Sequence, residues 1–130
     1  MKKKILIVTS KYYKTFSENL EFHSSKILDK SVKYKFISVP GVFEIPVVIS
    51  KNIKKYDAFI ALGCVIKGET PHFDFISQSV TDAILKLSID HKKPIGNGVI
   101  TSLNKSQALI RSKKKGQEAA KAVLSVLKNF

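Results

Sequence analysis

An unbroken apolar run, followed by a glycine-containing loop and a helical pattern, constrains the fold more than any other stretch of this sequence. The run covers residues 58–62, and its length and composition are typical of a strand buried on both faces. The apolar residues that follow recur at helical spacing: Phe73, Ile76, Val80, Ile84 and Leu87. A buried strand joined to a helix by a short loop is the unit of a parallel α/β sheet, so we expect that fold class.

The loop after this strand has the residue types of an anion-binding corner. Gly68 lets a ligand approach the backbone closely, Thr70 is a good N-cap, and Pro71 is a good first helical residue. Free N–H groups and the positive end of the helix dipole favour phosphate at such a place. We expect His72 in the first turn, where a group that titrates near neutral pH indicates chemistry beside the anion. The same residue types also occur at such corners for geometry alone, so this stretch by itself leaves both interpretations open.

The rest of the chain repeats the alternation of strand and helix. Apolar, partly β-branched runs predict three further strands, at residues 4–9, 34–39 and 95–101. Helical patterns predict a helix after residue 14, one opening at residue 42, a short one at 104–112 and, after a basic break at 113–116, a last one. The alternation predicts a parallel sheet with right-handed crossovers, and the length predicts one domain over residues 1–130.

The carboxyl ends of parallel strands form the ligand-binding edge of such a sheet. Tyr12 follows the first strand and suits stacking on a planar ligand, although packing against a helix explains an aromatic residue there equally well. Glu44 lies near a helix N-terminus, where its charge is favoured but also common. Residues 64–72 and 97–101 follow or end the other two strands. Because four polar or aromatic stretches converge on one edge, we predict a binding site there.

Composition excludes several classes of protein. One cysteine and three scattered histidines predict neither a disulfide framework nor a metal site, and they favour a reducing compartment, the cytoplasm. No segment is long and apolar enough to suggest a membrane span or a signal peptide. The net charge of +13 raises nucleic acid as a partner. The lysines, however, form short scattered groups without interleaved aromatic residues, so we interpret them as a solvated surface and expect no nucleic-acid partner.

Motifs along nearly the whole chain, taken in order, resemble those of the lumazine synthase family. They are PGVFEIP at residues 40–46, ALGCVIKGETPHFD at 61–74, GVIT at 98–101, and Gln107-Ala108 with Arg111 and Lys115-Gly116. The resemblance implies a flavodoxin-like three-layer sandwich with a four-stranded parallel sheet. It also implies a cofactor-free transferase of riboflavin biosynthesis, which condenses 5-amino-6-(D-ribitylamino)uracil with 3,4-dihydroxy-2-butanone 4-phosphate.

The resemblance further implies a role for each matching residue, with His72 as the group that transfers protons. The expected contacts of the ribitylaminouracil are Tyr12, Val42, Phe43, Glu44, Cys64, Val65, Ile66 and Asn97. The expected contacts of the phosphate are the backbone of Glu69 and Thr70 and the Arg111 side chain, with Gly68 and Lys115 as further candidates. In the family Asn97 and Arg111 come from the adjacent subunit, so a homo-oligomer with sites between subunits, most simply a pentamer, is expected.

The chain departs from the family pattern at several positions. Asn97 replaces a Phe of several members, Ile110 replaces a Glu that often precedes the arginine, and the segment between Arg111 and Gly116 is shorter. The short stretch before the first strand makes an icosahedral shell less expected. Two alternatives stay open: an archaeal-type riboflavin synthase, which is similar in fold and takes the lumazine product itself, and a non-enzymatic binder of flavin or nucleic acid. The phosphate corner with His72 disfavours the first, and His72, Glu44 and Arg111 together disfavour the second.

Overall fold

The computed structural model describes residues 2–130, in which strands and helices alternate as the sequence predicts. In chain order the elements are β1 (Lys3–Ser10), α1 (Lys14–Ile27), β2 (Val32–Val39), a 3-10 turn (Val42–Glu44), α2 (Ile45–Lys51), β3 (Ala58–Ile66), α3 (Phe73–His91), β4 (Ile95–Ser102) and α4 (Lys105–Asn129). The strands form one parallel sheet in the order β2-β1-β3-β4. Helices α1 and α4 cover one face, and α2 and α3 cover the other. This flavodoxin-like three-layer sandwich confirms the predicted fold class.

Alternating side chains of the two central strands supply both halves of the core. On β1, Ile5 and Ile7 point toward α1 and α4, while Leu6 and Val8 point toward α2 and α3, and all four are fully buried. Burying such a side chain stabilises the fold by about 1.5–3 kcal/mol. Burial on both faces explains why the central strands read as continuous apolar runs. None of the helices in residues 2–130 is long and apolar enough to cross a membrane.

Strand β3 is longer than predicted. The sequence ends this strand at residue 62, but it continues to Ile66, because residues 63–66 pair with residues 99–102 of β4. Gly63 pairs with Val99 and does not break the strand. A Cβ atom at this position would be only 2.6 Å from the Val42 side chain, so the glycine makes room for Val42. The extension carries the strand into the predicted site, so that residues expected in a loop stand on a rigid element instead.

The helix that follows β3 starts later than predicted. Thr70 is not its N-cap, because α3 begins at Phe73 and His72 is the capping residue. Residues 67–70 form a tight turn, which is closed by a β-bridge between Lys67 and Thr70. Gly68 lies in this turn with φ of +87°, a conformation that residues with a Cβ rarely adopt. The Thr70 hydroxyl accepts a long 3.4 Å contact from the His72 N–H, so it supports the turn.

Helix α4 is continuous, so the predicted break at residues 113–116 is wrong. Gly116 lies inside the helix at its crossing with α1, and a Cβ atom there would be 2.5 Å from the Leu20 carbonyl oxygen. The glycine therefore allows a close helix–helix contact and does not end the helix. Lys113 and Lys114 stay exposed to solvent on the outer side. The Asn104 side chain caps the helix by accepting a 2.9 Å hydrogen bond from the Gln107 N–H.

Candidate functional site

A cavity of about 420 Å³ opens at the carboxyl edge of the sheet, and we call it the slot. It lies between the loop after β1, the 3-10 turn before α2, the end of β3 and the turn before α3. The predicted site residues that line it are Tyr12, Val42, Phe43, Glu44, Cys64, Val65, Ile66, Glu69 and Thr70. A cavity of this volume with a mainly apolar lining and few polar groups suits a small organic molecule.

The floor of the slot is the end of β3. Cys64, Val65 and Ile66 are all buried there, and their backbones are held by pairing with β4. Burial raises the pKa of the Cys64 thiol to about 12, and the nearby Glu69 carboxylate adds to the rise. The thiol is therefore neutral at physiological pH and forms a wall of the slot without nucleophilic character.

Glu44 is fixed at one side of the slot by the backbone. The Gly41 N–H donates a 2.9 Å hydrogen bond to Glu44 Oε1 at the start of the 3-10 turn. In the described part of the chain the other carboxylate oxygen accepts no hydrogen bond, so it can accept one from a ligand hydroxyl. Next to it, the Phe43 ring is 64% exposed, while Val42 is buried against the sheet.

An aromatic pair forms the opposite wall. Tyr12 is 69% exposed, and its ring meets Tyr13 edge to face with 4.9 Å between the ring centroids. The Tyr13 hydroxyl donates a 2.9 Å hydrogen bond to Glu69 Oε2. The sequence pointed to Tyr12 only, and it missed Tyr13 because nothing local links that residue to a carboxylate 56 positions away.

The turn expected to hold phosphate offers fewer free donors than the sequence suggests. The Glu69 N–H donates to the Ile66 carbonyl at 3.2 Å, so this predicted phosphate donor is already used within the turn. Lys105 Nζ, from the first residue of α4, lies 3.6 Å from Glu69 Oε1. Gly68 faces open space. The turn therefore presents Thr70 to the slot, while the Glu69 side chain is held by neighbouring elements.

His72 lies at the rim of the slot. It lines an adjoining hollow together with Phe43 and Ile76, both of which also line the slot. Its side chain is exposed, and its position at the N-cap of α3 fixes the backbone. An imidazole at this place is available to a molecule that fills the slot and extends toward α3.

Arg111 and Lys115 lie on a different cavity, of about 320 Å³, between the end of β4 and α4. Arg111 Nη1 donates a 2.6 Å hydrogen bond to the Thr101 carbonyl, which holds the guanidinium against the end of β4. Asn97 is exposed on β4, where its Oδ1 accepts a 3.0 Å hydrogen bond from the Val99 N–H. A single chain thus does not bring these three predicted residues to its own slot.

The charges of the two cavities are complementary. The ionisable carboxylates that line the slot are Glu44 and Glu69, and no lysine or arginine of the described residues lines it. The second cavity contains Arg111, Lys114 and Lys115 with one acid, Glu118. Across residues 2–130, no three His, Cys, Asp or Glu side chains cluster in a way that could hold a metal ion. Within residues 2–130, no lysine or arginine side chain borders the slot where an anion would lie.

Comparison with known proteins matches the chain to one family over almost its entire length. The family model for 6,7-dimethyl-8-ribityllumazine synthase matches residues 2–130. A protein of that name from Bartonella bacilliformis is 39% identical over 132 residues, covering 95% of this chain and 87% of the relative. Its counterpart from Bartonella tribocorum is 38% identical, covering 98% and 91%. A third, from Corynebacterium glutamicum, is 36% identical, covering 93% and 80%.

Proposed function

The chain belongs to the 6,7-dimethyl-8-ribityllumazine synthase family, and we propose that its slot is where the two substrates of that reaction meet. The chain is a transferase of riboflavin biosynthesis, which condenses 5-amino-6-(D-ribitylamino)uracil with 3,4-dihydroxy-2-butanone 4-phosphate. The products are 6,7-dimethyl-8-ribityllumazine, phosphate and water. The observation that carries the assignment to the slot is the lining of one cavity by residues from four separate stretches of the chain.

The placement of the pyrimidine is supported by the shape of the slot. Tyr12 offers an exposed aromatic face, and the floor formed by Cys64, Val65 and Ile66 is apolar and rigid. The free oxygen of Glu44 suits a hydroxyl of the ribityl chain. The ring would stack on Tyr12 with its ribityl chain directed along the segment Val42–Glu44.

The chemistry requires proton transfers, and His72 is the group that we assign to them. An amine attacks a ketone, water and phosphate leave, and the ring closes, so protons move at each stage. An imidazole has two ring nitrogens, one of which can accept a proton while the other donates one, so it can accept and return them. Much of the remaining rate would come from holding the amine and the ketone in contact within the slot.

Of the groups on the two substrates, the phosphate has the fewest suitable contacts within a single chain. Thr70 borders the slot, but no lysine or arginine among residues 2–130 lines it. We assign Arg111, with Lys115 near it, to the phosphate of the slot in an adjacent subunit, and Asn97 to the same subunit boundary. Exposed apolar side chains beside both cavities, such as Phe75 and Ile110, support a contact there. A contact between unlike faces gives a ring when the rotation between subunits closes, and a pentamer is the ring that we favour.

We also propose that residues 1–130 act as one domain, and that the protein is cytoplasmic. The cytoplasmic location is supported by its lone cysteine, which is free and buried. We propose, as the resemblance to the family implies, that the reaction uses no metal ion or organic cofactor; its addition, dehydration and phosphate departure involve no net redox change, so no redox cofactor is required.

The catalytic assignment is tested by mixing purified protein with both substrates and following the absorbance of the lumazine product. The control supplies the lumazine alone, since riboflavin formed from it would indicate the archaeal-type riboflavin synthase instead. Absence of product in the first assay, with folded protein, would contradict the assignment.

The shared site is tested by subunit mixing. His72→Ala damages the slot and Arg111→Ala damages the neighbour's contribution, so each variant alone should have low activity. In a random one-to-one assembly of the two, about a quarter of the sites combine an intact slot with an intact arginine, and activity should recover accordingly. If Arg111 serves the slot of its own chain, every site keeps one damaged residue and mixing restores nothing.

A further inference from the structure

The side chain of Tyr13 joins the two ends of the slot. Its ring meets Tyr12 edge to face at 4.9 Å, and its hydroxyl donates a 2.9 Å hydrogen bond to Glu69 in the turn before α3. We propose that Tyr13 is a positioning residue that couples the stacking platform at Tyr12 to the phosphate turn at Glu69. This inference rests on the proposed function, because that function supplies the two substrates that would occupy these ends.

The turn needs an external tether because its own packing is sparse. Lys67, Gly68 and Glu69 are exposed, and Gly68 faces open space. The Lys67 N–H donates a 2.9 Å hydrogen bond to the Ser102 carbonyl of β4 at the start of the turn. Beyond that bond, the Glu69 carboxylate links the turn to two helices: Tyr13 at the start of α1 donates to Oε2, and Lys105 Nζ of α4 lies 3.6 Å from Oε1. The lysine is mostly exposed and its contact is long, so solvent screens it and its contribution is small. The phenol, which is partly buried, is therefore the stronger of the two tethers.

The position of the Tyr13 hydroxyl is itself fixed by the start of α1. Tyr13 is the N-cap residue of that helix, and its carbonyl accepts a 3.0 Å hydrogen bond from the Ser17 N–H. Its ring packs against Phe16 with 5.9 Å between centroids. A donor held on a rigid element positions its acceptor better than a donor on a mobile loop.

The phenol also keeps its proton over the working range of pH. Burial and the hydrogen-bonded Glu69 carboxylate raise the pKa of Tyr13 well above its ordinary value. It therefore remains a hydrogen-bond donor at physiological pH.

The arrangement predicts that the substrates assist each other. A pyrimidine stacked on Tyr12 restricts the Tyr13 ring, and the restricted hydroxyl holds the turn in place for the phosphate. Coupling of this kind is reciprocal, so phosphate should bind more tightly when the pyrimidine is present, and the pyrimidine more tightly when phosphate is present.

The test compares Tyr13→Phe, which keeps the ring and removes the donor, with Tyr13→Leu, which removes both. We expect Tyr13→Phe to raise the Kd of inorganic phosphate and the KM of the butanone phosphate by about three- to tenfold, with the Kd of the pyrimidine alone, measured without phosphate, within about twofold. Tyr13→Leu should raise the KM of both substrates. As a matched control, Tyr34→Phe removes the same hydroxyl from an exposed position on β2 and should change none of these constants.

A double-mutant cycle completes the test. Glu69→Gln keeps an acceptor and should lose less phosphate affinity than Glu69→Ala, and adding Tyr13→Phe to Glu69→Ala should cause no further loss. Additive losses, or a Kd of the pyrimidine alone that rises with Tyr13→Phe as much as the phosphate constants do, would overturn the inference. The cycle is measured by calorimetry with inorganic phosphate. It therefore decides the role of Tyr13 even if the wild-type chain makes no lumazine, an outcome that would count against the proposed function alone.

Discussion

Replacing Gly116 by alanine tests the close contact between α4 and α1. A Cβ atom at this position would lie 2.5 Å from the Leu20 carbonyl oxygen and 3.2 Å from the Ser24 backbone nitrogen. Both are backbone atoms of a packed helix, so neither can swing away as the end of a side chain could. The two helices must separate by several tenths of an ångström, and the buried contacts around Leu20 must loosen with them.

The net effect is the difference between two opposing contributions. Alanine favours the helical state by about 1 kcal/mol relative to glycine. Overpacking a well-packed region costs about 1–3 kcal/mol, and a clash of backbone atoms belongs near the upper end of that range. We therefore expect Gly116→Ala to lower the free energy of unfolding by about 1–2 kcal/mol.

The assay is urea unfolding at one fixed protomer concentration, since assembly makes apparent stability depend on concentration. Ser125 is exposed on the same helix, so the pair Ser125→Gly and Ser125→Ala measures the gain from glycine to alanine without a clash. If Gly116→Ala stabilises the protein by as much as that pair differs, there is no close contact at Gly116.

Four further outcomes are expected. His72→Ala should lower kcat by roughly 10- to 10⁴-fold with little change in the KM of the butanone phosphate, because general acid–base catalysis contributes about 10²–10⁴ and substrate orientation remains; steady-state kinetics with each substrate varied would show it. Arg111→Ala should raise the KM of that phosphate substrate by about ten- to a hundredfold and leave the pyrimidine KM nearly unchanged, whereas the reverse pattern would mean that the phosphate end is misassigned. The pKa of Cys64, raised from 9.0 to about 12 by burial, means that the folded state holds its proton more strongly; the free energy of unfolding should therefore fall as pH rises from about 9 toward 12, and Cys64→Ala should reduce that fall in pH-dependent denaturation. Binding to duplex DNA, followed by fluorescence anisotropy, should be weak and disappear with added salt; tight, sequence-selective binding at physiological salt would contradict the interpretation of the lysines as a solvated surface.

The fold was largely predictable because a strand that is buried on both faces gives a continuous apolar run in the sequence. Residues 58–62 are apolar at every position since each faces one of two helical layers. Two of the errors concern glycines, because the role of a glycine depends on residues that are distant in sequence. Gly63 and Gly116 resemble breaks in their own stretches, but each instead makes room for an atom far along the chain, Val42 or Leu20.

The site was predictable only in part, for a similar reason. Parallel strands bring their carboxyl ends together, so Tyr12, Glu44 and Cys64 could be placed at one edge from topology alone. The bond between Tyr13 and Glu69 requires side-chain directions that no local pattern encodes. The bridge between Lys67 and Thr70 closes a turn that includes Thr70, so α3 begins only after His72. The residue types alone favoured Thr70 as the N-cap, because the bridge leaves no local pattern in the sequence.

The contact at Gly116 also divides α4 into two unequal parts, and a tilt of the helix about this contact moves the two ends by different distances. At 1.5 Å per residue, the distance along the helix axis from Gly116 to Arg111 is about 7.5 Å, and the distance to Lys128 is about 18 Å. A tilt of about 5° would thus displace Arg111 by about 0.7 Å but Lys128 by about 1.6 Å. Near the C-terminal end of α4, Lys128 forms an exposed 2.8 Å ion pair with Asp29, and such exposed pairs contribute little to stability. When α4 pivots at Gly116, a displacement of the Lys128 end, caused by substitution or thermal motion, therefore moves Arg111 less than half as far.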